Sequence, residues 1–318
     1  MKVLIVRFSS IGDIVLTSPV VRCLKQQVRN IEIHYLTKKS FQGIVYTSPY
    51  ISKVFVIENK LNEVIPELIR EKYDHIIDLH HNLRTLQLKT KLKSPASSFR
   101  KLNYEKWLIV NLKVNKLPVV HIVDRYFDTV RTLGVRNDNK GLDYFILPIN
   151  EIDITTLDSS LKAGYYALVI GGSYYTKQIP LNKLIEICDL SDKPIVVLGG
   201  SSDKELALKL IGRTKTTVVN VCGKYNLDQS ASIIKQSLKV ISPDTGLMHI
   251  AAAFKRDIIS LWGNTIPEFG MSPYLPGINS KILEVKGLSC RPCSKLGFKK
   301  CPKGHFKCMN EIRAENVF

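Results

Sequence analysis

No apolar run in the 318-residue chain approaches the ~18 residues that a membrane-spanning helix needs. The opening Val3-Leu4-Ile5-Val6 stops at Arg7, and Asp13 follows, so no signal-peptide core is expected and residence in the cytoplasm is expected with it. A GxxxxGK(S/T) loop is missing and no GxGxxG follows the first apolar run. The main support for an NTPase or a dinucleotide-dependent dehydrogenase is therefore absent. No Asp-x-Asp pair occurs, so the usual metal clamp of metal-dependent sugar-nucleotide enzymes is lacking. Acids are scarce too: 46 Lys and Arg against 28 Asp and Glu leave a formal charge of +18. That excess points to a polyanionic partner, whether nucleic acid, an anionic membrane surface or a phosphorylated substrate.

What is present is ordinary for a globular chain: 45% hydrophobic and 23% charged residues. At roughly 150 residues per domain the length suggests two domains. A polar segment from Asn137 to Lys162 reads as their connection, giving domains over 1–150 and 151–318. Short apolar runs alternate with amphipathic stretches, which predicts an α/β chain with parallel sheets. Strands are expected at Val3–Phe8, Ile31–Leu36, Val54–Ile57 and His75–Leu79, with helices over Ile14–Arg29 and Asn62–Lys72. In the second half, strands are expected at Tyr166–Ile170, Ile195–Leu198, Val218–Val221, Val240–Ser242 and Ile258–Leu261. Most of these end in small or polar residues, where doubly wound sheets bind ligands.

Arg7-Phe8-Ser9-Ser10-Ile11-Gly12-Asp13 joins the first strand to the first helix, so Asp13 is either a helix cap or a general base. Ser242-Pro243-Asp244-Thr245-Gly246 opens a later helix that carries His249. That helix start suits a phosphate, and an ordinary N-cap is the plainer reading. Lys177, in the loop after Tyr166–Ile170, could meet a diphosphate or simply be solvated, and Asp203 could accept from ribose hydroxyls or start a helix. Two basic stretches stand out. Arg84–Lys116 holds nine Lys or Arg, one acid (Glu105) and the aromatics Phe99, Tyr104 and Trp107, and Lys286–Lys307 holds seven Lys or Arg and no acid. Of the seven cysteines, Cys23, Cys188 and Cys222 read as buried thiols. Cys290, Cys293, Cys301 and Cys308, with His305, are either a structural zinc site or a loop of free thiols. Asp13, Lys177 and Asp244 all lie outside that tail, so the chemistry is expected not to depend on whether it binds zinc.

In this order, the Ser-Ser-x-Gly-Asp opening, Asp78-x-x-x-Asn82-x-Arg84, Lys177-x-x-Pro180, Gly199-Gly200, Asp244-Thr245-Gly246-x-x-His249 and the Cys-rich tail resemble glycosyltransferase family 9, the lipopolysaccharide heptosyltransferases. The resemblance implies a GT-B fold, two Rossmann-like domains facing across a cleft, with the acceptor on the N-terminal one and an ADP-sugar on the C-terminal one. It implies inverting transfer of a sugar, typically heptose, onto a lipopolysaccharide core or related surface glycan, with no cofactor needed for the chemistry. Asp13 matches the base, and Arg7, Ser9, Ser10 and Arg84 fall to the acceptor. Lys177, Asp203, Tyr225, Asp244, Thr245, Gly246 and His249 fall to the donor. A phosphorylated glycolipid acceptor at the anionic inner-membrane surface follows as partner, with the protein attached peripherally. Ile179, where relatives often carry an aromatic residue, and Asp203, where many carry Glu, leave the identity of the nucleotide and sugar open. The rival readings are a non-catalytic sugar-nucleotide sensor, a sugar-nucleotide epimerase, and a basic nucleic-acid-binding protein. No nucleic acid is expected, because that last reading leaves the Asp-Thr-Gly-x-x-His element unexplained.

Overall fold

Uninterrupted Val, Ile and Leu runs form strands buried on both faces, the pattern of parallel sheets covered by helices. Eleven strands occur in the computed structural model, which describes residues 1–318. They form two parallel sheets in two compact units, one of Met1–Lys101 with Val120–Phe145, the other of Leu102–Val119 with Ile146–Phe318.

The first unit contains β1 (Lys2–Val6), β2 (Glu32–Lys38), β3 (Lys53–Ile57), β4 (His75–Asp78) and β5 (Ala96–Ser98), in the order β3-β2-β1-β4-β5. Its register is set by pairs such as Ile5↔Tyr35 and Ile5↔Ile77. Helices α1 (Ile11–Val15), α2 (Ser18–Gln27), α3 (Gln42–Tyr46), α4 (Ile65–Arg70) and α5 (Leu83–Leu92) connect these strands. Next in the chain, α6 (Asn103–Asn111) belongs to the second unit, and α7 (Ile122–Phe127) returns to the first.

The single helix expected over Ile14–Arg29 is two, because Pro19 starts α2 afresh in its first turn, where its missing N–H costs nothing. Pro66 does the same for α4, so the Asn62–Lys72 helix starts only at Ile65. The segment after Asn137 is not a bare connection. Buried Arg22 on α2 donates to Asp138 at 2.8 and 2.9 Å, to Gly141 O at 2.8 Å and to Asp143, and Leu142 and Tyr144 are buried.

The second unit holds β6 (Tyr166–Val169), β7 (Ile195–Leu198), β8 (Val218–Asn220), β9 (Lys239–Pro243), β10 (Asp257–Trp262) and β11 (Lys281–Glu284). Their order is β11-β10-β9-β6-β7-β8, which from the other edge is the Rossmann order of a dinucleotide-type sheet. Its other helices are α8 (Leu181–Asp189), α9 (Lys204–Ile211), α10 (Leu227–Gln236), α11 (Gly246–Ala253) and α12 (Lys307–Asn310). The Cys-rich tail is part of this core. Phe306, Cys308, Met309, Ile312 and Val317 are buried against the cluster formed by Leu184, Ile187 and Cys188. At ~2 kcal/mol for each large apolar side chain, this burial anchors a segment whose basic sequence gave little sign of a core.

Candidate active site

In each sheet the first strand lies between strands whose connections run in opposite directions, and ligands bind at the C-terminal ends of strands at such a switch point. In the first unit that point lies between β1 and β4. The turn leaving β1 reaches α1 through Ser10, whose backbone N–H (3.2 Å) and hydroxyl (2.9 Å) both donate to Asp13 Oδ2. Arg7 Nη2 lies 2.6 Å from Asp13 Oδ1. The remaining Arg7 donors are committed inward: Nε to Ser9 O at 2.8 Å, Nη1 to Leu79 O and to the Tyr126 hydroxyl at 3.1 Å. Burial pushes the Asp13 carboxyl up, and Arg7 and Ser10 more than offset it, so its pKa lies below the usual carboxylate value. Asp13 is ionised at neutral pH and held in one orientation.

The turn leaving β4 is built on Asp78, which is fully buried. Its carboxylate accepts from the N–H groups of His80 (3.1 Å) and His81 (2.6 Å) and meets Lys89 at 3.0 Å. Asn82 caps α5 by accepting from Thr85 N at 3.0 Å, which sets Arg84 on the first turn with its guanidinium 5.7 Å from the Phe8 ring. Ser9 and Arg84 line a cavity of about 460 Å³ together with Phe8, Lys38, His80 and Asn82. Arg7, Ser10 and Asp13 are not among the lining residues; Arg7 and Ser10 hold Asp13 instead.

Two wall residues went unread in the sequence. Lys38 ends β2, and the strand-end position is its only signal. His80 is masked by the Asp78–Asn82 spacing. Burial, Arg7 and Lys101 push its imidazole down to about 4, so it is neutral at physiological pH.

In the second unit the switch point lies between β6 and β9. The loop after β6 brings Lys177 Nζ to 2.6 Å from Asp244 Oδ2, just beyond β9, and Thr265 Oγ1, beyond β10, donates to the same oxygen at 3.0 Å. Thr245 is the N-cap residue of α11 and Gly246 its first residue, so the free N–H groups of the helix start lie next to this pair. His249, on the same helix, is buried. Asp203 is buried beneath the glycine turns: its Oδ2 accepts from Gly200 N at 2.8 Å, and a Cβ on Gly171 would come within 2.7 Å of it. In this conformation one Asp203 oxygen thus serves the backbone. Tyr225 is half-buried in the turn before Asn226, the residue that caps α10. The partly exposed cation–carboxylate pair beside a helix start, between two glycine-rich strand ends, can receive a diphosphate and a sugar hydroxyl.

Cys290 Sγ lies 3.9 Å from His305 Nε2, and Cys293 Sγ donates to Cys290 O at 2.9 Å. Cys308 is a core residue whose thiol burial pushes up to about 12. The set of metal-ligating atoms that does converge within 4.8 Å is Glu32, His34 and Glu71, with Glu71 already paired to Lys2 and Lys53 at 2.7 Å each.

A profile of glycosyltransferase family 9 (heptosyltransferase) matches residues 62–300. Lipopolysaccharide heptosyltransferase 1 of Campylobacter coli is 25% identical over 83% of this chain and 84% of its own length. Among solved structures, a glycosyl transferase family 9 protein from Veillonella parvula superposes with a TM-score of 0.72 at 22% identity, covering 89% of this chain and 86% of that one. The ADP-heptose LPS heptosyltransferase II of Escherichia coli gives 0.69 at 18% identity over 98% of both chains.

Proposed function

The chain belongs to glycosyltransferase family 9 and has the GT-B fold, and on that premise we propose that it transfers heptose from ADP-heptose to a lipopolysaccharide-core acceptor with inversion. The observation that carries the reading is Asp13, an ionised carboxylate locked by Arg7 and Ser10 in the first turn of α1. In the proposed step Asp13 takes the proton of the acceptor hydroxyl as its oxygen bonds to the anomeric carbon, and the bond from that carbon to the diphosphate oxygen breaks. Lys177 and the N–H groups at Thr245 and Gly246 meet the charge that grows on the departing ADP, and preorganised donors of this kind are worth ~3–4 kcal/mol each. Asp244 would then exchange Lys177 for a hydroxyl of the donor sugar. Arg84 and Lys38, with neutral His80 beside them, suit an anionic acceptor in the cavity of the first unit. Arg7 and Ser10 act through Asp13, while Ser9 and Arg84 meet the acceptor.

A thermal-shift panel of ADP-, UDP-, GDP- and CMP-sugars tests the donor assignment, because a ligand that binds the native state raises its apparent stability. ADP-heptose is expected to raise Tm by several degrees and the other nucleotides by less than one. A larger shift with a UDP-, GDP- or CMP-sugar overturns the assignment.

The same reading places the protein in the cytoplasm, held peripherally at the inner membrane. Tyr104 and Trp107 on α6 are more than half exposed, as is Leu112 after it, within a stretch of nine basic residues and one acid. Each basic residue near an anionic surface is worth ~1 kcal/mol. Sedimentation with anionic but not zwitterionic vesicles, lost at high salt, is expected. Equal sedimentation with both removes the membrane from the account.

A further inference from the structure

Resting on that reading of the donor site, we propose that Arg291, in the Cys-rich tail, is a positioning residue for the Lys177–Asp244 pair, acting through the loop 263–265. Its Nε donates to Gly263 O at 2.6 Å and its Nη2 to Thr265 O at 2.8 Å, while the N–H of Cys293 donates to the carbonyl between them, Asn264 O, at 3.2 Å. Three consecutive carbonyls are thus held by one short tail segment. The Asn264 side chain is buried and makes no hydrogen bond to another protein group. The tail thus braces the loop at its carbonyls, and Thr265 Oγ1 on that loop donates to the same Asp244 oxygen that Lys177 meets.

Arg291 does not act on the diphosphate directly. Its guanidinium is almost wholly buried and paired with Glu284, the last residue of β11, at 2.7 Å. The tail also braces the other half of the pair: Phe298 N donates to Thr176 Oγ1 at 2.8 Å and Thr176 N to Phe298 O at 3.2 Å, one residue before Lys177. The two loops touch, because a Cβ on Gly263 would come within 2.9 Å of Thr176 O.

Lysine keeps the charge that faces Glu284 but lacks the planar fork that spans two carbonyls. Arg291→Lys is therefore expected to raise the donor KM on the order of tenfold, with the acceptor KM unchanged and Tm within a few degrees of the parent. Thr265→Val cuts the link to Asp244. If Arg291 acts through Thr265, the double variant loses no more donor affinity than Thr265→Val alone. Losses that multiply in the double variant, or donor and acceptor KM rising together with a collapse in Tm, reduce Arg291 to a general fold residue and overturn the proposal. Unfolding of Arg291→Lys overturns it in the same way. Wild-type protein separates this from the parent reading: no stabilisation by ADP-heptose overturns the proposed function, whereas normal stabilisation with multiplying losses overturns only the role of Arg291.

Discussion

Asp13→Asn is expected to lower kcat by at least 100-fold while nucleotide affinity stays within a few-fold, since a positioned general base contributes ~10²–10⁴. Asparagine keeps the shape, but its single carbonyl oxygen can accept from Ser10 or from Arg7 and not from both, and its amide cannot take a proton. The buried Arg7 loses its countercharge in this variant, and breaking such a pair is costly. Tm is therefore measured alongside turnover, and a folded, nucleotide-binding, inactive protein is the expected result. The pKa direction adds a second readout. Because Asp13 titrates below the ordinary value near ~3.9, it puts no acid limb into the wild-type rate profile between pH 5 and 8. By the same linkage, the stability that Asp13 contributes is complete above its unfolded pKa and lost as pH falls through its lower folded pKa. Turnover above roughly a tenth of wild type in Asp13→Asn removes it from the role of base.

Lys177→Met is expected to weaken ADP-sugar binding by ~10–100-fold, the range for a hydrogen bond to a charged group. Its kcat is expected to fall further, because the ammonium also meets charge that exists in full only as the diphosphate leaves. Methionine keeps much of the stem of the lysine, so Thr176 and the loop after β6 lose little packing. Asp244 keeps the Thr265 hydroxyl but loses its cation, so free protein is mildly destabilised even as donor binding collapses. Calorimetric titration with ADP and with ADP-heptose gives the binding term, and single-turnover transfer gives the rest. Unchanged donor affinity would place the diphosphate elsewhere.

The parallel α/β architecture was legible because strands buried on both faces leave uninterrupted apolar runs, as in Ile195–Leu198. The strands that escaped notice lack that signal: β5 is Ala-Ser-Ser at a sheet edge, and β11 is half exposed. Prolines at 19 and 66 hide helix starts inside apparently continuous amphipathic patterns. Around the site, the two strand-end turns could be read from Ser9-Ser10 and Asp244-Thr245-Gly246. Which polar groups meet could not, since the partners of Asp244 are 67 and 21 residues away. Nor could the sequence tell that Arg7, with neighbours at Leu79 and Tyr126, faces inward on Asp13. The tail was the hardest to read. Its lysines suggest a solvated loop and its cysteines a metal knuckle, and only the packing of Phe306, Met309 and Ile312 makes it part of the core.

Acceptor-dependent inverting transfer, with Asp13 as base and Lys177 at the leaving group, couples ADP release to glycoside formation in the proposed step. Its most direct measurement is ADP release from ADP-heptose by wild-type protein and the two variants, with and without lipopolysaccharide-core acceptor, followed together with the mass and anomeric configuration of the product. One ADP per heptose added, with inverted configuration, is expected from the wild type, with no release without acceptor and near-silence in both variants. ADP released at the same rate without acceptor, or product of retained configuration, would contradict it.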